Sequence, residues 1–310
     1  MPYFFNLMKG GGPAYGKRGV FIIDSYGATV SSGMAVDGAV LPANSSMYVW
    51  SQGVANAATV NGGRLYVSNG GVVNGMTQTF GMVYVYSGGI ANAPCNQGGT
   101  LYAYGGTLNG LSAPKGATYL GGDGNCPGVL NGAVMGNVSR GNMYIQSGGT
   151  ANGLVLNNGS VFISRSGAAN DLVLNNGAVV VSSRGAVNDL ILNSGSLTVS
   201  KYGTATIAYN PWSRGTVTSV AYASVTYLER DADVYFGAAG VGLVSRGNAF
   251  SGLTISSGYS ALVYSGGVVH DTIVDSGGSM YVSSGGTALG VTSSAGATVT
   301  VANGGYIEYA

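Results

Sequence analysis

The stretch GRLYVSNGGVVNGMTQTFGMVYVYSGGIANAPCNQGGTLYAY, residues 63–104, decides the fold. Gly63, Gly81 and Gly99 recur at one constant interval, and each opens a short alternating run: RLYVS at 64–68, MVYVY at 82–86, TLYAY at 100–104. The same beat returns at Gly141, Gly159, Gly177 and Gly195, and again from Gly278 to Gly296. Side chains alternate between the faces of a strand, so residues two and four places after each glycine point the same way. These are aliphatic almost throughout: Leu65 and Val67, Val83 and Val85, Met143 and Ile145, Val161 and Ile163, Val179 and Val181, Leu197 and Val199, Met280 and Val282. A fixed short period in Gly-rich, strand-like sequence is the mark of a solenoid, in which one coil cannot bury its apolar face without neighbours. The expected fold is all-β, a parallel β-helix with coils of about 18 residues. Strand crossovers prefer one hand, so the helix is expected to be right-handed.

Within a coil the pattern reads strand, turn, strand, turn. Ser-Gly-Gly at 87–89, 147–149, 265–267 and 284–286 supplies one turn, because glycine enters left-handed turn conformations without steric cost. A second apolar run follows at 154–156, 172–174 and 190–192, closed by Asn-Asn-Gly or Asn-Ser-Gly at 157–159, 175–177 and 193–195. Residues 1–18 form an N-terminal extension whose apolar PYFFNLM (2–8) is expected to cap the first coil, since exposed solenoid ends are usually covered. Residues 19–310 are assigned to the β-helix, with irregular insertions where the beat is lost, at 120–140 and 201–257.

Composition excludes several functions. Only 7% of the 310 residues are charged and the formal net charge is +1, which gives no global attraction for nucleic acid or an anionic membrane. No apolar run approaches the roughly 18 residues of a spanning helix, so membrane insertion by helices is not expected. The N-terminus lacks the pattern of a secretory leader. Cys95 and Cys126 have no metal-ligand spacing and are read as two free thiols or one disulfide. No metal and no cofactor are expected.

Asparagine repeats in register. Asn74, Asn92, Asn152, Asn170 and Asn188 each fall at the same place relative to a coil glycine, and Asn157, Asn175 and Asn193 form a second set. Stacked carboxamides can hydrogen-bond along a ladder, so both sets are assigned a structural role. The third position of each coil lies between two inward ones and should be polar. It instead holds Tyr48, Tyr66, Tyr84, Tyr102, Tyr119, Tyr144 and Phe162, with Trp50, Tyr86 and Tyr104 on the same face two places on, and Tyr281 near the C-terminus. This aromatic stripe is the candidate binding surface. Three roles remain open for it: cross-strand stabilisation of a flat sheet, packing against another chain or another copy, and stacking on sugar rings.

Catalytic constellations are sparse. Asp171 and Asp189 stack one coil apart and are read as a solvated turn pair, because a hard cation wants six or more oxygens. The acidic run at 229–233 is read as a solvated loop. His270, the sole histidine, is followed by Asp271, but no nucleophile is marked beside it. The SRG tripeptides at 139–141, 183–185, 213–215 and 245–247 are read as turn punctuation. The chain is therefore not expected to be an enzyme; a polysaccharide-binding or -cleaving β-helix is the more remote alternative.

The segments SGGTANGLVLNNG (147–159), SGGIANA (87–93), SGGVVHDTIVDSGG (265–278) and SSGGTALGVTSSAG (283–296) resemble the strand-loop-strand repeats of AIDA-type autotransporter passengers, the Antigen 43-like self-associating adhesins. The resemblance covers roughly residues 45–200 and 258–305, judged by repeat period. It implies a β-helix at the bacterial cell surface or outside the cell, acting in adhesion or self-association. Its partners would be other copies of itself, and a cell-surface glycan or protein; a subunit of an end-to-end or lateral filament is the alternative. By the same resemblance, Ser87, Ser147, Thr150, Ser265, Ser284 and Thr287 are implied as glycosylation sites.

Overall fold

The computed structural model describes residues 21–22, 27–31, 33–113, 115–121, 126–136 and 141–310. The N-terminal extension and its PYFFNLM segment lie outside the described residues. The architecture is all-β, without a helix among the described residues, and its strands run parallel in stacked coils of about 18 residues, about 15 turns in all. The chain divides into two units. One comprises Ser196–Thr206, Val217–Val225 and the chain up to Leu190; the other comprises Ile191–Gly195, Ile207–Thr216 and Thr226–Ala310.

In the first unit each coil contributes three short strands, one more than the sequence pattern suggested. The coil that opens at Gly141 contains Gly141–Ile145, then Thr150–Leu156, whose two halves pair with separate strands of the next coil, Ala168–Asn170 and Val173–Leu174. The missed middle strand is the short TAN or IAN segment, which looks like a turn because it carries a single inward side chain. That side chain is small, as with Ala91, Ala151 and Ala169, all fully buried.

Register is kept coil after coil. Ser46–Val49 pairs with Arg64–Val67, Met82–Tyr86 follows, and then Thr100–Tyr104, each residue facing its equivalent. The inward columns are dry: Met47, Leu65, Val83 and Leu101 in one, Val49, Val67, Val85 and Ala103 in the next, all with no exposed surface. Burying one such side chain contributes about 1.5–3 kcal/mol of transfer free energy, so this column of side chains is the main force holding the coils together. The closing glycines are required by contact. Gly159 and Gly177 sit at φ +117° and +108°, and a Cβ on either would run into the carbonyl oxygen of the glycine one coil earlier.

The interruptions have defined places. Gly116–Leu120 and Gly141–Ile145 are directly paired, so the chain between their opening glycines makes a single coil, longer than its neighbours. Within it Val129–Met135 is an ordinary strand in register with Thr107–Ala113 and Thr150–Leu156. The extra residues of 120–140 therefore fall in the connections on either side of that strand. Of the segment 201–257, Thr204–Ile207, Thr216–Ser219 and Ser224–Tyr227 are still strands.

The second unit contains an antiparallel hairpin, Val234–Ala238 against Gly242–Gly247, bulged between Phe236 and Gly237. Val234–Ala238 also pairs antiparallel with Tyr259–Val263, after which parallel stacking resumes. Ser260 faces Ser279 and Ser279 faces Thr298, so the repeat here is one residue longer than the interval between Gly278 and Gly296 suggested. Its core is Val234, Ile255, Ala261, Val263, Val269, Val274, Met280, Val282, Ala288 and Val291. The SRG at 245–247 lies in a hairpin strand rather than a turn, with Arg246 paired to Asp231 at 2.8 Å.

Candidate functional site

The tyrosine column assembles as a continuous stack. Tyr48, Tyr66, Tyr84, Tyr102, Tyr119, Tyr144 and Phe162 are register partners on seven consecutive coils. Ring centroids are 4.7, 5.2, 5.0, 5.0, 4.5 and 5.1 Å apart in that order, and ring planes deviate from parallel by 7–20°. The spacing is that of hydrogen-bonded strands, so the backbone sets the pitch of the rings. Tyr86 and Tyr104 add a second row, 6.0 Å from Tyr84 and 5.2 Å from Tyr102. Trp50 is exposed on the same face, and among the described residues no ring contact joins it to the others. Its neighbour one coil on is Ser68, which breaks the second row before Tyr86. The stack ends where the column turns aliphatic or polar: Thr29 precedes Tyr48 and Val180 follows Phe162. Tyr281 lies in the second unit between Leu262 and Thr300 and has no stacking partner in its column.

Stacking changes what the stripe can present. Inside the column each ring face is covered by its neighbours, so the solvent meets ring edges and a row of phenol hydroxyls. Exposed Phe80 and Met82 flank it, and the Tyr84 hydroxyl donates to Met82 Sδ at 3.0 Å. Partial burial raises the pKa of Tyr66, Tyr86, Tyr104 and Tyr119 above the usual phenol value, and repulsion from neighbouring phenols adds to it. The stripe thus offers ring edges and hydroxyls able to donate or accept hydrogen bonds at regular steps, with the exposed Arg64 beside Tyr66 as a neighbouring charge.

The asparagine column forms a hydrogen-bonded ladder longer than its sequence pattern. Each Nδ2 donates to the Oδ1 one coil earlier, from Asn188 through Asn170, Asn152, Asn131, Asn109, Asn92, Asn74 and Asn56, at 2.7–3.1 Å. The last acceptor is a carboxylate, Asp37, which accepts from Asn56 at 2.7 Å. Asn109 and Asn131 escape a count at the regular interval because their steps are 17 and 22 residues. Asn56 escapes because its coil opens at Ser45 instead of glycine, and Asp37 because its step is 19. In the second set, Asn175 donates to Asn157 at 2.7 Å, and Asn193 accepts from Asn210 at 2.7 Å.

The six hydroxyl residues implied as glycosylation sites lie on turns and strand starts. Ser87, Ser265 and Ser284 are exposed, while Ser147, Thr150 and Thr287 are half-buried. Cys95 and Cys126 are free thiols. Asp171 and Asp189 are exposed and left-handed, φ +53° and +55°, Asp171 at a bend and Asp189 inside the strand Ala186–Leu192. Among the described residues no three His, Cys, Asp or Glu side chains gather as metal ligands, and no helix is long and apolar enough to cross a membrane. The run at 229–233 is anchored rather than free. The buried Tyr235 hydroxyl accepts from the Asp231 and Ala232 amides and donates to Asp231 Oδ1 at 2.9 Å. Arg230 covers the Tyr264 ring at 4.4 Å, and the Tyr209 and Tyr264 hydroxyls lie 3.1 Å apart.

Likeness to other proteins lies in the fold. No family model matches the chain, and no curated protein matches it in sequence. Among solved structures, the crystal structure of a TibC-catalysed, hyper-glycosylated TibA fragment aligns over 91% of this chain and 93% of its own, with a TM-score of 0.51 and 24% identity. The chain is similar to that fragment in fold. At this identity the likeness carries the β-solenoid and nothing about residues.

Proposed function

We propose that this chain is a non-catalytic bacterial surface adhesin that associates with other copies of itself through the lateral tyrosine stripe. The observation that carries the proposal is the seven-ring stack on an outer sheet face, where polar side chains belong. Aromatic residues are enriched in the cores of protein interfaces, and a face with few charges imposes little desolvation cost on a partner. A second copy offers the same step of nearly 5 Å, so edges and hydroxyls of two stripes could meet at every coil. The covered ring faces argue against the sugar-stacking role. The fold likeness to a glycosylated TibA fragment supports export to the cell surface or beyond, and glycosylation at Ser87, Ser147, Thr150, Ser265, Ser284 and Thr287 belongs to the same proposal.

The test is a triple variant, Tyr66→Ser, Tyr84→Ser and Tyr102→Ser. Sedimentation should show self-association of the parent chain and its loss in the variant, with β-type circular dichroism retained. Equal association by the folded variant would remove the stripe from the function.

A further inference from the structure

The small net charge hides a local concentration. The chain has twelve lysines and arginines, and three of them meet at one corner of the first unit. Arg165, Ser183 and Lys201 occupy equivalent places on consecutive coils. The next column is Ser166, Arg184, Tyr202 and Tyr222, stacked by backbone hydrogen bonds from Ser166 N to Arg184 O (2.9 Å), Arg184 N to Tyr202 O (3.0 Å) and Tyr202 N to Tyr222 O (3.0 Å). All four are left-handed, with φ of 60°, 62°, 63° and 65°. On other coils this column holds glycine, as at Gly70, Gly88 and Gly148. Large side chains at such angles are unfavourable, and backbone outliers of this kind gather at functional sites.

The side chains make a concave site. A cavity of about 370 Å³ is lined by Arg165, Ser182, Ser183, Arg184 and Tyr202. Lys201 Nζ lies 4.8 Å from the Tyr202 ring centroid and 4.9 Å from that of Tyr222, and Tyr222 is 74% exposed. The ion pairs among the described residues are Arg230–Asp233 and Arg246–Asp231, so the three cations of the corner have no carboxylate partner there.

We propose that this corner binds an acidic saccharide, its carboxylate or sulfate held by Arg165 and Arg184 and its ring set against Tyr202 and Tyr222. Guanidinium groups pair with planar oxyanions in a bidentate way that a lone ammonium does not. The Tyr202 and Tyr222 rings lie 6.0 Å apart with planes tilted by 37°, so they do not close each other off as the parallel rings of the stripe do. An exposed phenol ring suits the apolar face of a sugar, and Ser182 and Ser183 supply hydroxyls for its polar rim. The cations span two coil steps, about 10 Å, which fits one or two sugar residues and is too short for a phosphate track. The volume falls within the roughly 300–1,000 Å³ of small-ligand sites.

Calorimetric titration of the full chain tests this, using sulfated dextran oligosaccharide, oligogalacturonate, uncharged dextran oligosaccharide and inorganic sulfate. Both charged oligosaccharides should bind, uncharged dextran should not, and sulfate should compete only weakly. The double variant Arg165→Gln/Arg184→Gln should lose on the order of tenfold or more in affinity, as expected for charge-assisted pairs. Tyr222→Ser should weaken binding several-fold through lost ring contact. Arg184→Gly guards against misfolding as the cause: it relieves the backbone, so the melting temperature should rise while affinity falls. The Tyr66, Tyr84 and Tyr102 variant should bind the oligosaccharides normally, which keeps this site distinct from self-association. Absence of binding, or equal binding by the double glutamine variant, overturns the proposal. So does sulfate competing as well as the oligosaccharides while Tyr222→Ser has no effect, because the corner is then a charge patch without a sugar subsite.

Discussion

Thr118 stands in an inward column between Leu101 and Met143, fully buried, with no partner for its hydroxyl. A buried hydroxyl without a hydrogen bond costs about 1–3 kcal/mol. Valine has nearly the same shape and no such group, so Thr118→Val should raise the denaturation midpoint, by roughly 1–2 kcal/mol in chemical unfolding. An unchanged or lower midpoint would mean that the hydroxyl finds water. Gln78 is half satisfied: its Nε2 donates to the Gly81 and Thr100 carbonyls at 2.9 and 3.0 Å, tying two neighbouring coils, while its buried Oε1, like the Thr118 hydroxyl, has no partner. At this scale the tyrosine column was legible, because an aromatic at a position that ought to be polar is conspicuous when it recurs in seven successive coils. Thr118 was not, since a threonine among strand residues looks ordinary until its burial is known.

Among the elements, the ladder gives a second test. Asn170→Ala removes the acceptor for Asn188 and the donor for Asn152, both half-buried. The loss should be about 1–2 kcal/mol, read as a lower urea midpoint with an unchanged slope. A variant as stable as the parent would make the ladder ornamental. The sequence pattern revealed part of the ladder and part of the coil, for physical reasons. Longer strands with two inward aliphatics announce themselves, as MVYVY does. A short strand with one inward alanine does not, and neither does a ladder step of 21 or 22 residues, because loop insertions change the count without disturbing the stack. The antiparallel hairpin at 234–247 was likewise hidden. Its strands pair with a partner of opposite direction, so they share no beat with the coils around them.

For the molecule as a whole, alkaline pH is the natural probe, because tyrosine is abundant and charge is scarce. The stacked phenols of Tyr66, Tyr86, Tyr104 and Tyr119, and those of Tyr235 and Tyr264, all have pKa values raised above 10.0 in the fold, burial being the first cause. Below about pH 10 these groups are protonated whether the chain is folded or not, and their contribution to stability is fully present. As pH climbs through the unfolded value, the unfolded chain releases protons that the folded chain keeps, so stability declines progressively toward the raised folded values. The urea midpoint should therefore be flat through neutral pH and fall above about 10, while tyrosinate absorbance of the folded protein lags behind that of free tyrosine. Complete conversion to tyrosinate in the folded chain at the free-tyrosine pH would refute this.

The one-way sense of the amide ladder has an evolutionary corollary. Every rung from Asn56 to Asn170 gives in one direction and receives from the other, Asn188 gives at the far end, and the series terminates on the acceptor-only Asp37. An extra rung copied into the middle would find its donor and acceptor already waiting, and a rung excised would leave its two flanks matched. Unequal recombination between neighbouring gene segments could thus lengthen or shorten this protein by whole turns without orphaning a single carboxamide.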